Sequence, residues 1–178
     1  MERQTNNLST TKSVALSGMF SALCFVVMYL AAVTEVLDLS GMVLCSMIVI
    51  VAVIEIGRYY PWLIWAVTGV LCMLFIPKKD IALEFVMFGG IYPMVKSYLE
   101  RLPAVLSGAL KIVFFNIVFT GWFMLCKFIF MLDVGMTMGV IAYLAANAFF
   151  ILADVAFSMM ISLYVNKLRK RFKIGRKK

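Results

Sequence analysis

The sequence predicts an all-α protein, a polytopic membrane bundle of about six helices with both termini cytoplasmic. Three observations predict it. Apolar residues make up 64% of the 178 residues and the mean hydropathy is +1.01, where a soluble chain is about half apolar. The apolar residues fall in long runs separated by brief polar breaks, and basic residues gather in alternate breaks. No polar stretch is long enough for a second, soluble domain. The chain therefore reads as one domain, a bundle over 13–166 followed by a basic tail over 167–178.

A spanning helix needs about 20 mainly apolar residues, because the hydrocarbon layer is about 30 Å thick and each residue rises about 1.5 Å. Six segments qualify: Val14–Val33, Gly41–Ile56, Trp62–Ile76, Ile81–Tyr98, Ala104–Met131 and Met138–Val165. The first follows a polar arm, Met1 to Lys12, and reads as a retained helix, not a signal peptide, since only Ala31-Ala32-Val33 resembles a cleavage site. The second and third are short and read also as one hairpin around Gly57-Arg58-Tyr59-Tyr60-Pro61. Phe88-Gly89-Gly90-Ile91-Tyr92-Pro93 interrupts the fourth with two glycines and a proline. That break frees backbone groups that protein, water or ligand must satisfy, so it reads as a kink or as a binding or gating element. The fifth and sixth carry most of the polar residues buried in apolar surroundings.

Charge orients the bundle. Arg3 and Lys12, Arg58, Lys96 with Arg101, and the tail cluster of Lys167, Arg169, Lys170, Arg171, Lys173, Arg176, Lys177 and Lys178 share one side of a six-span chain. The other side receives Glu35, Asp38, Asp80 and Asp133, with Lys78-Lys79 as the exception. Positive charge marks the cytoplasmic side, and a basic cluster after an apolar span anchors on anionic lipid. The formal charge of +8 therefore points to membrane lipid and not to nucleic acid. Tyr29, Tyr59, Tyr60, Trp62, Tyr98 and Tyr143 lie near span ends, where amphipathic rings serve as interface anchors.

Cys24, Cys45, Cys72 and Cys126 all sit in apolar runs without a C-x-x-C pair and read as small packing residues. The chain has no histidine, which removes Ser-His-Asp and Cys-His catalysis and histidine-containing zinc sites. The expectation is a protein that is not an enzyme, with no metal, no cofactor and no catalytic residue. A membrane enzyme working through paired carboxylates fits least, because the acids are scattered through the spans.

Ionisable groups within spans cost at least about 2.5–3.5 kcal/mol near the bilayer centre unless paired or hydrated. Here they are Glu55, Glu84, Lys96, Lys111, Lys127 and Asp154. Glu55 and Lys96 lie near span ends and read as structural, Lys96 by snorkelling, and Lys111 with Asp154 as a structural ion pair. Glu84 and Lys127 sit at equal depth on neighbouring spans, either as a register-fixing pair or as part of a polar pocket. Asn116, Trp122 and Asn147 must turn their polar atoms toward the bundle or a wet cavity. Together, Glu84, Asn116, Trp122, Lys127 and Asn147 outline a candidate small-molecule site in the outer half.

The first span begins Lys12-Ser13-Val14-Ala15-Leu16-Ser17-Gly18-Met19-Phe20-Ser21-Ala22-Leu23. Ala15, Gly18 and Ala22 fall near one helix face and let another helix approach closely. With the basic arm, six short-linked spans and a basic end, this start resembles the substrate-binding S components of energy-coupling factor transporters. The resemblance covers nearly the whole chain in layout and the first span in local pattern. It implies a six-helix protein that captures a vitamin or other micronutrient from outside and hands it across with a transmembrane coupling subunit and two ATPases. It further implies that Ala15, Gly18 and Ala22 contact the coupling subunit, although Gly18 departs from the family's alanine. The chain carries no G-x-x-x-x-G-K-[ST] loop, so ATP would be used by the partners. The alternative is an accessory or scaffold subunit of another membrane complex, with the buried charges specifying helix pairing.

Overall fold

The computed structural model describes residues 9–34, 37–57, 59–125, 128 and 140–168, and among them the regular elements are helices, with no strand. The elements are α1 (Thr10–Thr34), α2 (Asp38–Ile56), α3 (Tyr60–Phe75), α4 (Lys79–Glu84), a π-helical turn (Phe85–Gly89), α5 (Ile91–Leu99), α6 (Ala104–Met124) and α7 (Val140–Leu163), which runs into a second π turn (Tyr164–Leu168). Among the described residues four helices are long and apolar enough to cross a membrane: Thr10–Thr34, Asp38–Ile56, Ala104–Met124 and Tyr143–Asn166. The surface agrees with a lipid solvent: Met19, Leu74, Val105, Ile117, Ile141 and Leu152 are all more than two-thirds exposed, an apolar load that water would not tolerate over so large an area.

α1 buries a narrow stripe of Ser13, Ser17, Ser21, Cys24, Met28 and Ala31. Its serines are satisfied inside the helix, Ser17 Oγ donating to Ser13 O at 2.8 Å and Ser21 Oγ to Ser17 O at 2.9 Å. This leaves a small, self-sufficient face on which α2 and α3 pack closely. Ala31 meets Gly41 so tightly that a Cβ on Gly41 would lie 2.4 Å from the Ala31 Cβ. Further along the same pair, Cys45 Sγ lies 3.3 Å from Cys24 O, so α1 and α2 are antiparallel. Cys24, Cys45 and Cys72 are free and buried.

Helix ends follow local chemistry. α2 opens with Asp38 in its first turn, favourable at the positive end of the helix dipole. It stops at Gly57, whose φ of 99° is one that other residues rarely adopt. α3 has Pro61 in its first turn, where no helical donor is lost. At its far end the Lys79 ammonium donates to Met73 O at 2.6 Å and Ile76 O at 2.9 Å, covering carbonyls that have no helical partner. With 16 residues, α3 reaches about 24 Å, short of the hydrocarbon thickness.

The predicted fourth span is a broken rod of α4, the π turn and α5. Gly90 N bonds to Phe85 O at 2.8 Å, five residues back. Pro93, with no N–H, leaves Gly89 O without its helical donor, and the Ser46 hydroxyl on α2 fills the vacancy at 2.9 Å. The Trp65 indole donates to Val86 O at 2.8 Å. A Cβ on Gly90 would sit 2.4 Å from Trp65 Cδ1, so the glycine is what lets the indole in. The groups freed by the break are thus met by protein.

The interior divides into two clusters. One, centred on Cys24, Cys45, Val49, Ile64, Cys72 and Phe85, binds α1, α2, α3 and the start of the broken rod. The other is aromatic, built from Tyr92, Phe115, Phe150 and Phe157 with Ile50, and joins α5, α6 and α7 to α2.

Candidate functional site: an aromatic cavity beside a buried carboxylate

At the aromatic cluster the helices leave a cavity of about 360 Å³. α2 contributes Leu39 and Met42, the broken rod Glu84, Met87 and Phe88, α6 Phe115, Val118, Phe119 and Trp122, and α7 Ala145, Ala146, Phe149 and Phe150. These positions come from the starts of α2, the rod and α7 and from the second half of α6. They therefore share the end of the bundle at which α1 and α6 finish and α2 and α7 begin, opposite the first turn of α1 and the last turn of α7.

Glu84 is the one ionisable residue of that lining, and its Oε2 is buried with no hydrogen-bond partner among the described residues. Trp122 lines the cavity, its Nε1 donating to Asp80 O at 3.2 Å. Asn116 and Asn147 lie beside the cavity and bond to each other: Asn116 Nδ2 donates to Asn147 Oδ1 at 2.9 Å and Asn147 Nδ2 to Asn116 Oδ1 at 3.0 Å. Thr120 and Tyr143 continue the contact with their hydroxyls 2.8 Å apart. The two asparagines clasp α6 to α7 and are not among the lining residues. Lys127 lies outside the described residues. Sequence reasoning that searched for polar groups passed over Met42, Met87, Phe119 and Phe150, which make the wall with Phe88, the residue that opens the predicted break.

Under the cavity lies a compact ion cluster. Phe88, Phe115 and Phe150 separate the two, with Phe115 and Phe150 stacked at 4.5 Å between centroids. Asp154 on α7 accepts hydrogen bonds from Tyr92 and Lys96 through Oδ1 and from Lys111 through Oδ2 at 2.9 Å. Lys96 also donates to Ser158 Oγ at 2.8 Å and pairs with Glu100 at 2.9 Å, while Lys111 lies 3.7 Å from Glu100. Two cations thus face two anions, and every charge has an opposite neighbour. Lys96 does not snorkel: its side chain is 1% exposed, turned inward by Asp154 and Ser158. The sequence signal was present in the i,i+4 series Tyr92, Lys96, Glu100, which places all three on one face. Glu55 accepts a hydrogen bond from Tyr164 OH at 3.0 Å, tying α2 to the end of α7.

The small-residue strip of α1 points away from all of this. Ala15, Gly18 and Ala22 are exposed, and nothing lies within 4 Å of a Cβ built on Gly18. No protein-family model, no curated protein and no solved structure matches the chain.

Proposed function

We propose that the protein is a multi-pass cell-membrane subunit that binds a small molecule for import, with six crossings and both termini in the cytoplasm. The observation that carries this reading is the cavity with Glu84 on its wall, open space of ligand size at the bundle end opposite the first turn of α1 and the last turn of α7. The positive-inside rule puts that end outside. The fully paired ion cluster beneath it supplies its floor. The free face of α1 at Ala15, Gly18 and Ala22 supports a partner role, in which a transmembrane coupling subunit with two ATPases docks there, as in energy-coupling factor transporters. A scaffold role would use the ion cluster alone and leave the cavity without purpose.

Three experiments test it. Purification from mild detergent should bring down a coupling subunit with paired ATPases, and a panel of vitamins and metabolites should contain a compound that raises the melting temperature, since a ligand bound only by the folded state stabilises it. Gly18→Leu with Ala22→Leu should abolish transport and spare binding. Copurification of a non-transport complex with no stabilising compound would favour the scaffold.

A further inference from the structure

The cavity wall also says what kind of molecule it fits. We infer that the ligand is an organic cation, an amine or ammonium group on a compact apolar body, with the cationic head at Glu84 and the body among Phe88, Phe115, Phe119 and Trp122. The inference rests on the binding role proposed above and specifies it.

The first support is charge. Glu84 presents a buried carboxylate oxygen that nothing in the described protein satisfies, and a buried unpaired acceptor is costly unless something donates to it. The described lysines nearest in sequence and fold are engaged elsewhere. Lys79 is spent on the carbonyls of α3, Lys96 and Lys111 on Asp154, and Lys78 has an interaction of its own. Asp80, four residues before Glu84 on α4, adds negative charge on the same helix face. Among the described residues no cation meets the Glu84 oxygen.

The second support is the wall. Aromatic faces carry negative quadrupole density, which attracts a cation within about 6 Å of the ring and also stacks on a flat apolar body. An anion would meet the same faces and the Glu84 carboxylate as repulsion. A lipid acyl chain would fill the apolar volume but leave the Glu84 oxygen unmet. A head group that donates a hydrogen bond and carries positive charge satisfies both features together.

The test uses the full chain in nanodiscs and three probes with one body: phenylpropylamine, phenylpropanol and phenylpropionate. Isothermal titration is corrected with empty nanodiscs for partitioning into lipid. The amine should bind at least about tenfold tighter than the alcohol, the difference one charge-assisted contact makes, and the carboxylate should bind weakest. Glu84→Gln should bring the amine down to the affinity of the alcohol and leave the alcohol unchanged, which also shows the variant cavity to be intact. The comparison within the wild-type chain stands whether or not that variant folds. If the alcohol or the carboxylate binds as tightly as the amine, the cationic class is wrong and the binding role survives. If none of the three binds and native mass spectrometry finds a phospholipid retained, both readings fall.

Discussion

Phe88 lies flat on Tyr92, with ring centroids 5.1 Å apart and planes 8° from parallel. Phe88 lines the cavity and the Tyr92 hydroxyl holds Asp154, so the cavity floor and the ion cluster are one packed unit. The two residues stand one helical turn apart across the Gly89-Gly90 break, which lets a ring at the end of the π turn stack on one in the first turn of α5. Whatever presses on Phe88 therefore bears directly on the side chain that orients Asp154.

Asp154 is the hub of that unit, only 20% exposed, and Lys96 and Lys111 are 1% and 10% exposed. Removing one partner of a buried pair leaves the other charge uncompensated, at a cost of about 3–5 kcal/mol. Asp154→Ala is therefore expected to lower the detergent melting temperature sharply. Asp154→Ala combined with Lys111→Met should recover part of the loss, because the two cations left to share Glu100 are reduced to one. A melting curve for Asp154→Ala that overlies the wild type would show that the cluster contributes nothing to the fold.

Gly90 and Gly18 are both helix-associated glycines, and the structure sets opposite outcomes for them. At Gly90 a Cβ meets the Trp65 ring at 2.4 Å, and overpacking of this kind costs about 1–3 kcal/mol. At Gly18 a Cβ meets nothing, and alanine is favoured over glycine within a helix by up to about 1 kcal/mol. Gly90→Ala should destabilise and Gly18→Ala should be neutral or stabilising, as read by thermal unfolding of the two variants side by side. The reverse order would mean that Trp65 is not seated on the break.

Much of this was legible in the sequence, and the remainder was hidden for a physical reason. Long apolar runs are read directly, and among the described residues four of the six expected spans are helices long enough to cross a membrane; Gly89, Gly90 and Pro93 announced the break by their own backbone chemistry. What meets the freed groups is nonlocal. Ser46 and Trp65 lie 43 and 21 positions from the carbonyls they satisfy, and one sequence carries no trace of that pairing. Expected depth along the spans grouped Glu84 with Trp122, and both line the cavity. Depth alone could not tell that Asn116 and Asn147 would turn toward each other, because that depends on helix rotation. It likewise could not choose between a snorkelling and an inward Lys96, which is decided by Asp154, 58 positions away.

The Ser46 contact makes a coupling prediction. Ser46→Ala leaves Gly89 O buried without a donor, since Pro93 has none to give, and such a loss costs about 1–3 kcal/mol. In a Pro93→Ala background the restored N–H can serve Gly89 O, so Ser46→Ala should cost less there. A double-mutant cycle on melting free energies reads the difference. Additive effects would show that the hydroxyl and the proline do not act on the same carbonyl.

Ala146 sets the most direct test of the cavity as a binding site. It lies on the α7 wall, where a larger side chain has about 360 Å³ of space to enter, so Ala146→Trp should fill the volume without the strain of overpacking a closed core. Filling an existing cavity commonly leaves stability unchanged or raises it by about 0.5–2 kcal/mol. The variant should therefore melt at or above the wild-type temperature and lose ligand binding. The paired substitution Asn116→Leu with Asn147→Leu gives the contrast. It replaces both partners of a reciprocal hydrogen bond outside the lining, which is nearly neutral when both go together, and it should keep binding. Binding retained in Ala146→Trp and lost in the double asparagine variant would move the site from the aromatic cavity to the α6–α7 clasp.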